Sequence, residues 1–158
     1  MKEYLEFTYW GEPLIYMVLC FSLFLIGKVL YQLLHPSIDV DGEMVDKDNF
    51  AFAITHVGYY AGLLLAIAGM MSGSGHDTLV HDLLLTAAYG IAAIFLLNMA
   101  ILLNDRLIFS ALELRKNIIE RHNVAVGIME AGNSVANGLI IYGVLSEEAS
   151  HVLYVLAL

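Results

Sequence analysis

The sequence predicts an all-α membrane protein with four transmembrane helices, built as two parallel two-helix repeats. The composition is 59% hydrophobic and only 15% charged, and the mean hydropathy is +0.74, values that soluble domains rarely combine. The apolar residues are gathered into four runs, each long enough to cross a bilayer. Part of the pattern also recurs after 74 residues. These three observations carry the fold class.

The four apolar runs are predicted to be membrane spans. Crossing a hydrocarbon layer of about 30 Å takes about 20 helical residues. Runs of this length occur at residues 14–34, 50–71, 83–103 and 124–145. Because lipid offers the backbone no hydrogen-bond partner, each run must be a helix. We therefore expect a single membrane domain over residues 1–158, with the lipid bilayer as its first partner.

The distribution of positive charge predicts the orientation and excludes one class of partner. Six of the seven Lys and Arg residues lie on the side of the connections at 35–49 and 104–123, counting Lys28 near the end of the first span, and Lys2 is the exception. Positive charge favours the cytoplasmic side, so we expect both connections in the cytoplasm and both termini outside. The net charge of -9 excludes the basic surface that nucleic-acid binding requires.

The internal repeat aligns residues 49–69 with residues 123–143 without a gap. Seven of these 21 positions are identical, including one Asn and two Gly, which apolar bias alone does not explain. A duplicated pair of spans returns the chain to its starting side, so the two halves run parallel about an axis along the membrane normal. The repeats are predicted to cover 14–71 and 83–145.

Residues at equivalent positions of the repeats predict helix caps and packing faces. Asn49 and Asn123 each stand just before a span, where the side-chain oxygen accepts a hydrogen bond from the first turn. Helices in lipid associate where small residues let their backbones approach. The predicted packing residues are Gly58 and Gly62 in the second span, with Gly132, Ala136 and Gly143 in the fourth.

His56 and Glu130 are also equivalent, each the seventh residue of its span. Each lies about 10 Å from the start of its helix, where an unpaired charge costs about 3 kcal/mol. We therefore predict an intramembrane polar network that includes His56, Glu130, Asn133, Ser134 and Asn137. Two interpretations stay open: hydrogen bonds that hold the helices together, or a site that handles a proton or small cation.

No cofactor, metal site or enzymatic activity is predicted. The turn between the second and third spans carries residue types that bind zinc, but their spacing matches no metal signature: His76, Asp77, His81 and Asp82. No nucleophile and base stand at catalytic spacing.

Two segments are candidates for binding a peripheral membrane protein. Segment 107–123 either lies along the membrane surface or extends the third helix, and the second candidate is the tail 151–158. The small-residue faces leave a homo-oligomer open.

The second and fourth spans resemble a known family. HNVAVGIMEAGNSVANGLIIYG (122–143) is similar to the signature of the bacterial membrane family called domain of unknown function 350, also called uncharacterised protein family 0719. DNFAFAITHVGYYAGLLLAIAG (48–69) is similar to its first-half counterpart. The matching motif positions are Asn123, Ala125, Glu130, Ala131 and Gly132, with Asn49, Ala51 and Gly58 in the first half. The resemblance implies a small four-span protein of the bacterial inner membrane, with a role in envelope maintenance or as a stress-linked scaffold.

Overall fold

Four long helices dominate the described part of the chain, which comprises residues 2–72 and 78–146, without the side chains of residues 2–9 and 111. In this computed structural model the helices are α1 (Lys2–Leu34), α2 (Phe50–Met71), α3 (Leu79–Leu107) and α4 (Val124–Leu145). All four are long and apolar enough to cross a membrane. The predicted all-α class with four membrane helices is therefore confirmed.

The helix bounds agree with the predicted spans for α2 and α4, whereas α1 and α3 are longer than predicted. α1 begins at Lys2 and continues through Pro13, and α3 extends past residue 103 to Leu107. Hydropathy marks only the part of a helix that lipid surrounds, so polar turns beyond it give no apolar signal. The extra turn of α3 places Asp105 on a helix at the membrane boundary.

The connections before α2 and α4 have the same local backbone. A five-residue π turn precedes each helix, at Gly42–Asp46 and at Lys116–Glu120. A residue with positive φ follows each turn: Asp48 at 46° and His122 at 49°. These features are 74 residues apart, the same spacing as the sequence repeat. The duplication itself stays a prediction, with which this backbone geometry agrees.

Segment 107–123 is neither one surface helix nor a simple extension of α3. α3 ends at Leu107, and a short 3-10 turn follows at Ser110–Leu112. Glu113 then has a φ of 42°, a left-handed conformation that interrupts any continuous helix. The apolar periodicity that predicted a helix instead reflects Leu114 and Ile118, which pack inward on the start of α2.

The main helix contact joins α2 and α4, which run parallel with their backbones touching. A Cβ atom added at Gly58 would lie 2.3 Å from the Cα of Ala131, and one added at Gly62 would lie 2.3 Å from the carbonyl oxygen of Ser134. A Cβ added at Gly138 would lie 2.4 Å from the carbonyl oxygen of Gly62. Because no side chain fits between them, glycine is required on both helices.

The packing face of α4 differs from the one that the sequence predicts. The residues that meet the glycines of α2 are Ala131, Ser134, Gly138 and Tyr142. Gly132, Ala136 and Gly143 are exposed, and a Cβ added at Gly132 or Gly143 has nothing within 4 Å. The prediction assumed that equivalent glycines face each other. Instead, Gly58 meets Ala131, the residue before its equivalent Gly132, and Gly69 meets Tyr142, the residue before its equivalent Gly143. A shift of one residue turns the contact face by about 100° around α4.

The apolar core fills the bundle between α1, α2 and α3. Its fully buried side chains include Leu23 of α1, Leu63 of α2, and Ile94 and Leu97 of α3. The bundle has two ends, and we call the end where α1 and α3 finish and α2 and α4 begin the connection end. The core extends along the bundle, from Met70 and Ala93 in the half remote from this end to Tyr31 and Ile101 near it.

Asn49 ties the two connections together at the connection end. Its side-chain oxygen accepts a hydrogen bond from the N–H of Phe52 at 3.1 Å, and its amide donates to the Glu43 carboxylate at 2.8 Å and to the Ile118 carbonyl at 3.0 Å. Burial on its own would raise the pKa of Glu43, but hydrogen bonds from Lys47 and Asn49 outweigh it and lower that pKa. The buried Asn49 thus caps α2 and also holds the second connection against the first.

Gly58→Ala is expected to lower the free energy of unfolding by about 1–3 kcal/mol, because its Cβ would meet the backbone at Ala131. The matched control is Gly132→Ala at the equivalent position, where a Cβ meets nothing within 4 Å, so no loss is expected. Thermal unfolding of the detergent-solubilised monomer, followed by circular dichroism, measures both. Equal losses in the two variants would contradict the packing face described here.

Asn49→Ala is expected to lower the free energy of unfolding by about 2–4 kcal/mol. It removes the cap of α2, and it leaves the Glu43 carboxylate and the Ile118 carbonyl without the hydrogen bonds that the Asn49 amide donates. The Asn123 side-chain oxygen accepts hydrogen bonds only from the exposed N–H groups of Ala125 and Val126. Asn123→Ala is therefore expected to lower the free energy of unfolding by about 1 kcal/mol. Chemical unfolding in micelles compares the two variants. A larger loss for Asn123→Ala would contradict the role assigned to Asn49.

Candidate functional site

A cavity of about 310 Å³ lies among the helices at the connection end. It is lined by the end of α1, the first half of α2 and of α4, the second half of α3 and both connections. Its polar and aromatic lining residues are Tyr31, His35, Ser37, Phe52, Thr55, Tyr59, Asn98, Asp105, Arg115, Glu130 and Ser134. Its deepest described residues are Asn98 of α3 and Ser134 of α4. The described lining therefore reaches about the middle of α4.

Two carboxyl groups meet in the wall of this cavity. Glu130 is 5% exposed, and the carboxyl group of Asp105 lies within hydrogen-bonding reach of it. Oε2 of Glu130 and Oδ1 of Asp105 are both buried and receive no hydrogen bond from the described residues. Both oxygens are therefore able to accept a hydrogen bond from a donor in the cavity. One proton or one cationic donor placed there would satisfy both oxygens.

Three amides hold Glu130 in place. Asn133 donates to Oε1 of Glu130 at 3.4 Å, and its own oxygen accepts from Asn104 at 2.7 Å and from Asn137 at 3.2 Å. The structure thus joins Glu130, Asn133 and Asn137 as the sequence predicts and links them to α3 through Asn104. Ser134 lines the cavity but lies on the packed face of α4 beneath Gly62.

His56 lies apart from this network. It is 4% exposed, its Nε2 is 2.9 Å from the hydroxyl of Tyr60, and its Nδ1 has no hydrogen-bond partner. The rings of Tyr31, Phe52 and Tyr60 surround it at centroid distances of 4.9, 5.5 and 4.5 Å. Equivalence in the repeat predicts the same position along α2 for His56 as for Glu130 along α4. The repeat does not predict the direction in which the His56 side chain points. His56 lies on a face of α2 that packs on Tyr31 of α1 rather than on α4.

Aromatic rings form the side of the cavity contributed by α1 and α2. The ring of Tyr31 packs on His35 at 4.4 Å and on Tyr59 at 4.7 Å. Tyr59 is fixed in turn, because its hydroxyl donates to the carbonyl of Gly27 at 2.9 Å and accepts from the amide of Asn98 at 3.2 Å. We call Tyr31, Phe52 and Tyr59 the aromatic wall, since all three line the cavity.

Several site residues were missed by the sequence analysis. Asp105 was missed because it lies two residues past the predicted third span. An acid that directly follows an apolar run was nevertheless a signal of a position near the membrane boundary. Asn98, a buried amide within that run, was a second such signal. Asn104 and Arg115 gave no local signal, because their roles depend on how α3 and the second connection meet α4.

The described residues contain no group of three or more His, Cys, Asp and Glu side chains arranged to hold a metal ion. Two of the four residues weighed as metal ligands, His76 and Asp77, lie outside the described part of the chain. The tail 151–158, weighed as a surface for a protein partner, also lies outside it.

Comparison with known proteins identifies one family. A family model described as Domain of Unknown Function (DUF350) matches residues 5–145. The match covers all four helices of the bundle. No curated protein and no solved structure matches the chain.

Proposed function

We propose a function from the cavity for this chain, which belongs to the Domain of Unknown Function (DUF350) family. The protein binds protons or small cations in the membrane and carries them across it, with Glu130 as the central binding group. This is the cation-handling interpretation of the polar network. It retains the expectation that the protein is not an enzyme.

The observation that carries the proposal is the pair of unpartnered oxygens on Glu130 and Asp105 at the cavity wall. Buried polar groups are almost always hydrogen-bonded, and an ionisable group within a membrane bundle is costly unless it is paired. A purely structural network would be complete without these oxygens, since Asn133 already bonds the other oxygen of Glu130. Their position supports a binding role for a positive charge or a proton.

The shape of the cavity supports a carrier rather than an open channel. The described lining of the cavity extends from the connection end to about the middle of α4, and the described buried side chains farther along the bundle are mostly apolar. A bound cation would therefore reach the other side only after the helices rearrange. The contact of α2 with α4 is close along its length, so movement of α1 and α3 against this pair is the simplest such change.

The same proposal includes a location and an orientation. We place the protein in a bacterial inner membrane with the connections 35–49 and 104–123 in the cytoplasm, on the basis of charge and family resemblance. The cavity would then be accessible from the cytoplasm.

A second candidate function is a membrane scaffold for envelope maintenance that binds a peripheral protein. Apolar side chains that are exposed at the connection end favour it: Val45 in the first connection, Leu107 at the end of α3 and Ile108 after it. Such residues at the membrane boundary can insert into lipid or contact a protein. This function requires no cation movement.

The carrier proposal predicts that proteoliposomes containing the full chain take up protons or K⁺ down an imposed concentration gradient, and that Glu130→Gln abolishes the uptake. Glutamine retains the size and the hydrogen bond with Asn133 but removes the ionisable group. Asp105→Asn is expected to lower the uptake as well. Internal pH-sensitive and K⁺-sensitive dyes give the measurement.

The matched control is Glu120→Gln, which removes an exposed acid of the second connection and is expected to leave uptake unchanged. Uptake by the native protein at the level of empty liposomes would reject the carrier proposal and leave the scaffold. Equal uptake in native protein and Glu130→Gln would reject the role of Glu130.

We further propose that the protein self-associates through the exposed small-residue face of α4. Gly132, Ala136 and Gly143 are the equivalents of the α2 residues Gly58, Gly62 and Gly69, which hold α4 within the chain. The glycine face of α2 packs on a different face of α4, so the two repeats meet through unlike surfaces, as in a head-to-tail contact. The glycine face of α4 is therefore left without a partner helix in the described part of the chain. A second chain would fill it with the exposed face of α2 that includes Val57.

Cysteine cross-linking in native membranes tests this contact, with Cys20 first replaced by Ser. Mixing chains that carry Gly132→Cys with chains that carry Val57→Cys is expected to give a cross-linked dimer. Phe95→Cys, on another exposed face, replaces Gly132→Cys in the control and is expected to give none. Cross-linking that is equal in both mixtures would reject the interface.

A further inference from the structure

We propose that the cation held in the cavity is an organic ammonium ion and that it exchanges with a proton shared by Glu130 and Asp105. This inference rests on the proposed function and specifies its substrate class. The charged nitrogen lies between the two carboxyl groups, and its hydrocarbon substituent lies against the aromatic wall.

The acceptors available at the site suit an ammonium group better than a bare metal ion. Calcium takes six to eight oxygen ligands, and magnesium requires six in octahedral order. The buried acceptors without a hydrogen bond in the cavity are Oε2 of Glu130 and Oδ1 of Asp105. Two free oxygens match two N–H donors of one ammonium group.

The rest of the lining suits a hydrocarbon group attached to that nitrogen. The aromatic wall faces the same cavity as the two acids, and the faces of aromatic rings attract cations. Aliphatic side chains complete the lining, among them Leu34, Ile101 and Ile118. Apolar walls with a few polar groups are typical of sites for small organic ligands, and about 310 Å³ is at the lower end of their range.

The charges that face the site allow one monovalent cation to replace one proton. The titratable or charged groups in the lining are Tyr31 and His35 of the α1 end, Tyr59 of α2, Asp105 of α3, Arg115 of the second connection and Glu130 of α4. With one proton between the two acids, their single negative charge balances Arg115. When an ammonium ion enters, the shared proton leaves, both acids are ionised, and the added positive charge restores the balance. No bond other than that to the proton is broken.

Binding of benzylammonium chloride to the purified full chain in detergent tests this inference by isothermal titration calorimetry. We expect saturable binding that releases one proton per ligand, seen as a heat that varies with the ionisation enthalpy of the buffer. Benzyl alcohol, a neutral molecule of similar size, is expected to bind at least about tenfold more weakly, because it lacks the charge-assisted hydrogen bonds. Glu130→Gln and Asp105→Asn are each expected to lose the proton release.

Two further variants separate the parts of the site. Tyr31→Phe keeps the aromatic face and is expected to retain binding, whereas Tyr31→Leu is expected to weaken it by about tenfold. Glu120→Gln is the control for loss of an acid elsewhere and is expected to behave as the native protein. Circular dichroism of every variant separates loss of binding from loss of fold, and binding that survives Glu130→Gln in a folded variant would overturn the inference.

The outcome is separable from that of the proposed function. Proton or K⁺ uptake that depends on Glu130, without benzylammonium binding, would overturn the organic substrate and leave the carrier in place. Benzyl alcohol that binds as tightly as benzylammonium would also overturn it, since the acids would then contribute nothing. Absence of both uptake and binding would overturn both proposals.

Discussion

The direct contact between the backbones of α2 and α4 is the constraint on which the rest of this structure depends. Gly58, Gly62 and Gly138 remove the side chains that would keep the two helices apart, so the pair is parallel and closely matched along its length. The first turns of both helices are thereby brought to the same end of the bundle. The connections that precede them meet there, which lets the single amide of Asn49 bond to both.

The cavity follows from that contact. With α4 held against α2, α1 packs on α2 and α3, and α3 also reaches α4, so the four helices enclose a space at the connection end. Toward the other end, small and aliphatic residues such as Ala66 and Ala93 let the helices close on one another. At the connection end, the large ring of Tyr31 and the polar groups of α3 and α4 keep them apart. The described buried polar side chains therefore lie mainly in the half of the bundle nearer the connection end.

The sequence predicted the features that depend on a single helix and missed those that depend on two. Hydropathy located α2 and α4, and their first-turn Asn residues do cap them, because span length and capping are local properties. Helical spacing likewise placed Asn133 and Asn137 beside Glu130. Three features depend on how one helix is rotated about its axis relative to another: the direction in which His56 points, the partner of Glu130 on α3, and the packed face of α4. A repeat in sequence fixes equal depth but leaves that rotation undetermined.

The acid at position 130 makes sense only in terms of its surroundings. Glutamine there would bond Asn133 as well as glutamate does, and it would avoid placing an ionisable group within the membrane. Close packing therefore gives no reason for a carboxyl group, and still less for a second one from Asp105 beside it. In a region of low dielectric constant, two neighbouring carboxyl groups favour holding a proton or another positive charge between them. If a cation binds there as proposed, the two carboxyl groups that burden the fold are also the groups that select it.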